Sequence, residues 1–306
     1  MIKTPIFLVG AERSGTTLLR LMLDHHPEIA FNSEFDYAIK FFDFNTLQEY
    51  YGFLDQDRIF RSSNFIIDRK CNPDELVNIW LKQKQGNKKY IGATVHHQFN
   101  RLIKIWPDAK FIHIVRDPRD VALSVVQIGW AGNTWKGCER WITAEQTWNT
   151  LKINLKKEQY LEITYEDLIL KTQEILSYVC GFIGVEYNSK MLSYPEYTTY
   201  KLPDNSMAYK WINMLKIFDI NLINIKVGKE LILANNYLWS ENSININWFY
   251  KLYLEIENKI LCFKFRINRF GFKLLLKYYI ARKLALKKWA EQLNLQIHDI
   301  EVQYLV

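Results

Sequence analysis

A short strand that runs straight into a turn and a helix start occurs twice in this chain, and few folds accommodate that arrangement. Pro5 to Gly10 (PIFLVG) is a run of strand formers, a turn with a glycine at each end follows it, and Thr16 to Leu23 has the leucine spacing of a helix. Lys110 to Val115 (KFIHIV) leads into a second helix start, where Asp117 is placed to cap, Pro118 takes the first position and Asp120 stands three residues after the cap. Runs this short and apolar suit strands buried on both faces, with a helix returning the chain to a parallel neighbour. Glu28 to Phe31, Tyr90 to Val95 and Tyr160 to Thr164 read as further strands, most of them separated by helical patterns. The expected fold is α/β, a central parallel sheet flanked by helices.

With 306 residues, 49% of them hydrophobic and 24% charged, the chain can bury a large core, which excludes a disordered or collagenous polymer. Its longest uncharged stretch, Val121 to Trp135, is fifteen residues and contains glycine, too short for a bilayer span of about 20. The N-terminal residues read as a first strand and not as a secretion signal, so the cytoplasm is expected. Cys71, Cys138, Cys180 and Cys262 form no CxxC pair, which offers neither a disulfide framework nor a zinc knuckle.

The net charge of +7 is local. Lys259 to Lys288 holds ten Lys and Arg with no Asp or Glu, leaving the rest slightly acidic, which argues against nucleic acid as a partner. An Asn/Ile/Lys-rich stretch from Asp219 to Asn247 puts a boundary near residue 240, between a domain 1–240 and a basic, aromatic, helical C-terminal extension 241–306. There Lys264, Arg266, Arg269, Lys273 and Lys277 accompany Phe270, Leu274 and Tyr278, the pattern of one basic amphipathic helix. Its apolar side has three possible partners: the domain itself, a membrane surface or a second copy of the chain.

Gly10-Ala11-Glu12-Arg13-Ser14-Gly15-Thr16-Thr17 has the G-x-x-x-x-G spacing of a phosphate loop, between a strand and a helix as that motif requires. Backbone N–H groups at such a turn, with the helix start behind them, attract an anion without a cation's help. Glycine spacing alone also fits a plain turn. A nucleotide triphosphatase carries lysine where this chain has Thr16, and Arg13 lies inside the loop instead, which speaks against Mg-ATP hydrolysis. Arg116, at the carboxyl end of the second strand, and Ser124, eight residues on, can clamp a second phosphate; alone they equally fit a surface arginine and a helix serine.

Several ordered segments together resemble the sulfotransferases that use 3′-phosphoadenosine 5′-phosphosulfate (PAPS), in particular a bacterial small-molecule type with similarity to the tyrosylprotein branch. FLVGAERSGTTLLRLMLDHHPEI resembles their 5′-phosphosulfate loop, FIHIVRDPRDVALSV their 3′-phosphate motif, and YLEITYEDLILKTQEILSYVCGFIGV the strand and helix with a nucleotide-contacting tyrosine. The resemblance runs over residues 4 to 240. It implies a three-layer P-loop-like fold, PAPS as donor, adenosine 3′,5′-bisphosphate (PAP) as product and no metal. It also implies that Arg13, Ser14, Gly15, Thr16 and Thr17 hold the 5′-phosphosulfate, Arg116 and Ser124 the 3′-phosphate, and Tyr165 the nucleotide side. Lys201, ahead of Trp211, resembles a late segment that folds back over the donor. Glu34 takes the place of the catalytic glutamate of the tyrosylprotein branch, as general base, and Arg13 would neutralise charge on the leaving phosphate.

One departure stands out. Many relatives carry a lysine where this chain has Thr94, so either another cation replaces it, with Lys201 or His96 the candidates and His97 less so, or the reaction is slower or differently assisted. His25 and His26 read as packing or capping residues. Trp130, Trp135, Trp141 and Trp148 suit an acceptor pocket, an adenine flank or the core, and the aromatic segment Asp36 to Asn64 is expected to wall a small-molecule pocket. The acceptor is expected to be a small secondary metabolite offering oxygen or nitrogen. A protein-tyrosine or carbohydrate acceptor, a P-loop kinase or nucleotide-binding regulator, and a non-catalytic PAP-binding module remain as alternatives.

Overall fold

In a computed structural model, which describes residues 2–240 and 244–302, five strands form one sheet: β1 (Ile6–Val9), β2 (Ile29–Glu34), β3 (Tyr90–Val95), β4 (Lys110–Val115) and β5 (Tyr160–Thr164). They run parallel in the order β2-β3-β1-β4-β5. Alternation of side chains along each strand feeds two cores. Ile6 and Leu8 pack on one face with Leu19 and Met22 of α1 (Thr16–Asp24) and with Val179 of the helix Thr172–Ile183. Phe7 and Val9 pack on the other with Trp80 of the helix Pro73–Gln85, Trp106 and Trp148. The three-layer α/β fold expected from the sequence is therefore present.

β1 is buried along its whole length, the pattern of a strand covered on both faces, whereas β5 alternates as an edge strand does. The chain leaves β1 toward β2 and β3 on one side, then returns to β4 on the other. Strand order thus reverses at β1, and ligands of open parallel sheets bind at the carboxyl end of such a point.

The second strand extends beyond Phe31, so Glu34 is its last residue, opposite Thr94 of β3 across a bulge. Several of the aromatic residues after Glu34 are core residues. Phe35, Tyr37, Tyr50 and Phe60 lie in the core around Trp80, because rings this large find more apolar contact with one another than along an open cleft. Trp135, Trp141 and Trp148 are buried as well, and Trp130 is partly exposed.

Chain contacts divide the protein into two compact units, Met1–Asp117 with Arg140–Lys210 and Pro118–Glu139 with Trp211–Val306. The composition change near residue 240 falls inside the second unit, and residues 241–243 and 303–306 of the expected extension lie outside the described residues. Trp135, Leu222 and Leu254 form one small core cluster of the second unit. Lys136 pairs with Glu139 at 2.8 Å and Glu255 at 3.2 Å, and Lys226 pairs with Glu139 at 3.0 Å while lying over the Trp135 ring. The expected single basic helix is two, Trp248–Phe270 and Phe272–Lys283, because Gly271 takes φ 79° and ends the first. A third helix, Lys287–Val302, follows. No helix among the described residues is long and apolar enough to cross a membrane.

Candidate active site

The loop after β1 turns on two left-handed residues, Arg13 at φ 73° and Gly15 at φ 91°. Glycine adopts this conformation without penalty, whereas an arginine there stores strain, a pattern concentrated at functional sites. A side chain at Gly15 would also overlap the Tyr165 ring, which packs against the loop. No side chain caps α1, so the N–H groups at its start remain open to a ligand. Ser14 is fully buried, and its Oγ has no hydrogen-bond partner within the protein. A buried orphan hydroxyl in a loop of this form fits a phosphate or sulfonate oxygen.

Arg116 joins the loop from the end of β4. One guanidinium nitrogen donates to the Arg13 carbonyl at 3.2 Å and another to the Met207 carbonyl at 3.0 Å, while the group lies 4.1 Å from the centre of the Tyr165 ring. The Trp141 indole N–H in turn donates to the Arg116 carbonyl at 2.7 Å. Burial lowers the Arg13 pKa from its ordinary value; the charge of Arg116 adds to this, and Tyr200 and Tyr165 oppose it. Two guanidinium groups in one partly dry corner create a strong demand for an anion.

A second network holds the start of the loop. Glu12 pairs with His97 at 3.1 Å and with Arg140. Burial by itself would raise the Glu12 carboxyl, but the hydrogen bond and charge of His97, with Arg140 and His96 assisting, hold it at about 2. The bond to Glu12 raises the pKa of His97 in return. His96 is buried, with Nδ1 2.9 Å from the Gly10 carbonyl and its backbone N–H donating to Asp36 Oδ1 at 3.0 Å. His97 donates its backbone N–H to the same Asp36 oxygen at 2.7 Å. Asp36 therefore ties the end of β3 to the segment after β2.

Glu34 ends β2 as an exposed carboxylate, directly across from Thr94, whose hydroxyl is buried without a partner. The Phe35 N–H donates to the Thr94 carbonyl at 2.7 Å and keeps the two strand ends together. A cleft of about 370 Å³ opens beside them, lined by Arg20, Asn32, Ser33, Ser63, Phe65 and Lys84 among others. Burial lowers the Arg20 pKa, and Asp24, Tyr200 and Glu34 counteract it by their charge. The cleft is polar where an aromatic pocket was expected. Asn32 Nδ2 is buried there without an acceptor, while Asn32 Oδ1 accepts the Ser33 N–H at 3.0 Å.

Thus Arg13, Ser14, Gly15, Thr16, Thr17, Arg116 and Tyr165 come together around one loop. Lys201 has an exposed side chain, and its carbonyl is held by the Tyr194 hydroxyl at 2.7 Å. Ser124 belongs to the second unit, on the helix Pro118–Gln127. In that unit Arg119 stacks on Trp211 at 3.9 Å, and Asp120 accepts the Trp211 N–H at 2.8 Å, so these charges of the RDPRD run serve the late Trp segment. Sequence reasoning missed Glu12, Arg20, Arg140 and Tyr200. Glu12 alone carried a signal, its place inside the loop.

The family model described as "Sulfotransferase family" matches residues 5–189, well over half of the chain. The chain belongs to the sulfotransferase family. Among its relatives, the protein-tyrosine sulfotransferase of Drosophila melanogaster is 25% identical over 219 residues, covering 63% of this chain and 40% of the fly protein. A putative protein-tyrosine sulfotransferase of Caenorhabditis briggsae is 25% identical over 213 residues, 62% of this chain and 69% of that one. The match thus spans less than half of the fly protein's length. In fold, the chain is similar to a sulfotransferase domain from the curacin biosynthetic pathway, with a TM-score of 0.60 at 18% identity, covering 78% of this chain and 99% of that domain. A sulfotransferase domain from the olefin synthase of Synechococcus PCC 7002 gives 0.59 at 22% identity, covering 78% and 98%. The resemblance read from the sequence holds at the level of the family.

Proposed function

We propose that this protein is a PAPS-dependent sulfotransferase acting on a hydroxyl or amine of a small molecule. The observation that carries the reading is the loop itself: an uncapped helix start, the orphan Ser14 hydroxyl, and Arg13 and Arg116 crowded into one corner. Arg13 and residues Ser14 to Thr17 take the phosphosulfate end of the donor. Arg116 takes the 3′-phosphate, and Tyr165 lies along the nucleotide. Ser124 is assigned to that phosphate from its place in the RDPRD…S segment alone.

Bound PAPS supplies a sulfuryl group on a phosphate leaving group. Glu34 accepts the proton of the attacking acceptor as its oxygen or nitrogen bonds to sulfur and the bond to the phosphate oxygen breaks. Arg13 and the loop N–H groups stabilise the charge that appears on the phosphate, and they do so most strongly in the transition state. The cleft beside Ser33 has the volume of a small-molecule site, and Arg20 with the Asn32 amide gives it donors for acceptor oxygens. The family relatives named for protein tyrosine support a second reading, a tyrosine side chain as acceptor.

Calorimetric titration with PAP, and separately with ATP plus magnesium, tests the donor. PAP should bind and ATP should not, and Arg116→Ala should weaken PAP at least 100-fold. Binding of ATP with magnesium alone overturns the reading. With PAPS, small phenols, alcohols and amines should then accept sulfate where a tyrosine peptide does not; the reverse result selects the second acceptor.

A further inference from the structure

The helix Trp248–Phe270, about 35 Å long at the usual rise, is anchored along one side to the segment around Gly132. Leu254 is buried on that side, its carbonyl accepts the Asn133 amide at 2.8 Å, and Asn258 Oδ1 accepts the Gly132 N–H at 2.7 Å. A side chain at Gly132 would overlap the helix backbone, so the contact is close. Far from that side, Phe249, Leu252, Tyr253, Ile256, Ile260 and Phe263 recur at offsets of 3, 4, 7, 11 and 14, which places them on one face. Each is between 46% and 73% exposed. Six large apolar side chains in a continuous exposed stripe are a binding surface, since isolated ones are common and stripes are not.

The charges around the stripe identify its partner. The two carboxylates of the helix are occupied within the unit, Glu255 by Lys136 at 3.2 Å and Glu257 by the Asn133 amide at 2.9 Å. Of the ten cations from Lys259 to Lys288, nine are exposed; Arg269 turns inward, to the Ile128 carbonyl at 3.2 Å. The next helix repeats the pattern, with exposed Phe272, Leu276 and Tyr279 at offsets of four and seven beside Lys273 and Lys277. Two such surfaces facing each other would set nine cations against nine, and a nucleic acid would leave the apolar stripe wet. An anionic bilayer satisfies both, by attracting the lysines and admitting the apolar side chains. The geometry points to the second unit as a peripheral anchor on anionic phospholipid, seated by the stripe from Phe249 to Phe263.

Sedimentation of the full chain with vesicles tests this. The protein should bind vesicles containing 30% phosphatidylglycerol in phosphatidylcholine at 0.1 M salt and leave pure phosphatidylcholine in solution. Two variants on exposed residues, Ile256→Ser/Ile260→Ser/Phe263→Ser and Lys264→Glu/Arg266→Glu, should each lower binding at least tenfold while the thermal midpoint and PAP affinity stay unchanged. No binding to the anionic vesicles overturns the proposal, as does binding that survives loss of the stripe. A dimer in sedimentation velocity that the serine variant dissociates, without vesicle binding, assigns the stripe to a second copy and overturns it equally.

Discussion

Along the carboxyl edge of the sheet, the half built by β1, β4 and β5 packs Arg116 and Tyr165 against its loop, whereas the half built by β2 and β3, though tied through Asp36, carries at its end one exposed carboxylate and one unpartnered hydroxyl. In the first half, Tyr165 packs on Gly15, Arg116 packs on Tyr165 and bonds the loop, and Trp141 holds Arg116. In the second, Glu34 is exposed and the Thr94 hydroxyl is unsatisfied. A donor common to a whole family is served by preorganised contacts that require no rearrangement on binding. On the proposed function the acceptor uses the second half, and a group that must enter and leave is served by an open edge.

Substitution in the braced half should have the largest effect. Gly15→Ala forces a side chain into left-handed backbone and into the Tyr165 ring, and should destabilise the protein by about 3 kcal/mol and abolish PAP binding. Thermal denaturation with and without PAP checks both; a variant that melts and binds normally breaks the comparison. In the open half the two readouts should separate. Glu34→Gln should lower kcat by about 10²–10⁴-fold with PAP affinity and melting point unchanged, measured by steady-state assay and calorimetry. Equal loss of binding and turnover would place Glu34 in the donor site instead.

The smallest effect comes from the Glu12–His97 pair. The Glu12 pKa lies below its ordinary 4.5, so its contribution is complete above pH 4.5 and is lost as pH falls toward about 2. The His97 pKa lies above its ordinary 6.5, so its contribution is complete below pH 6.5 and fades as pH rises through the raised value. Stability from the pair is therefore greatest between pH 4.5 and 6.5. The pair is partly exposed, and screening keeps the effect under about 1 kcal/mol. Melting points of wild type and His97→Gln across pH 4 to 9 should converge at the alkaline end; a constant gap would mean that His97 acts without its charge.

Much of this was legible in the chain. Short apolar runs located all five strands, most cleanly β1, which is buried along its whole length and has no polar position to blur the run. That Arg13, Arg116 and Tyr165 meet at one loop was legible because each follows a strand of the parallel sheet, at its carboxyl edge. The aromatic segment after Glu34 misled, since a ring in a core and a ring in a pocket wall are the same residue in sequence. Gly271 misled in the same way: the periodicity of charge and apolar residues continues through it, while its backbone does not.

The sequence by itself determined the α/β class, the strand–turn–helix loop and the family, because strand burial, helix starts and glycine turns are local in the chain. Only the tertiary structure decided that Glu12 is held by His97 and Arg140, that Arg116 rests on Tyr165, and that the cleft beside Ser33 is polar. These contacts join residues far apart in the chain, where hydrogen-bond geometry and shared burial select partners that no spacing rule encodes.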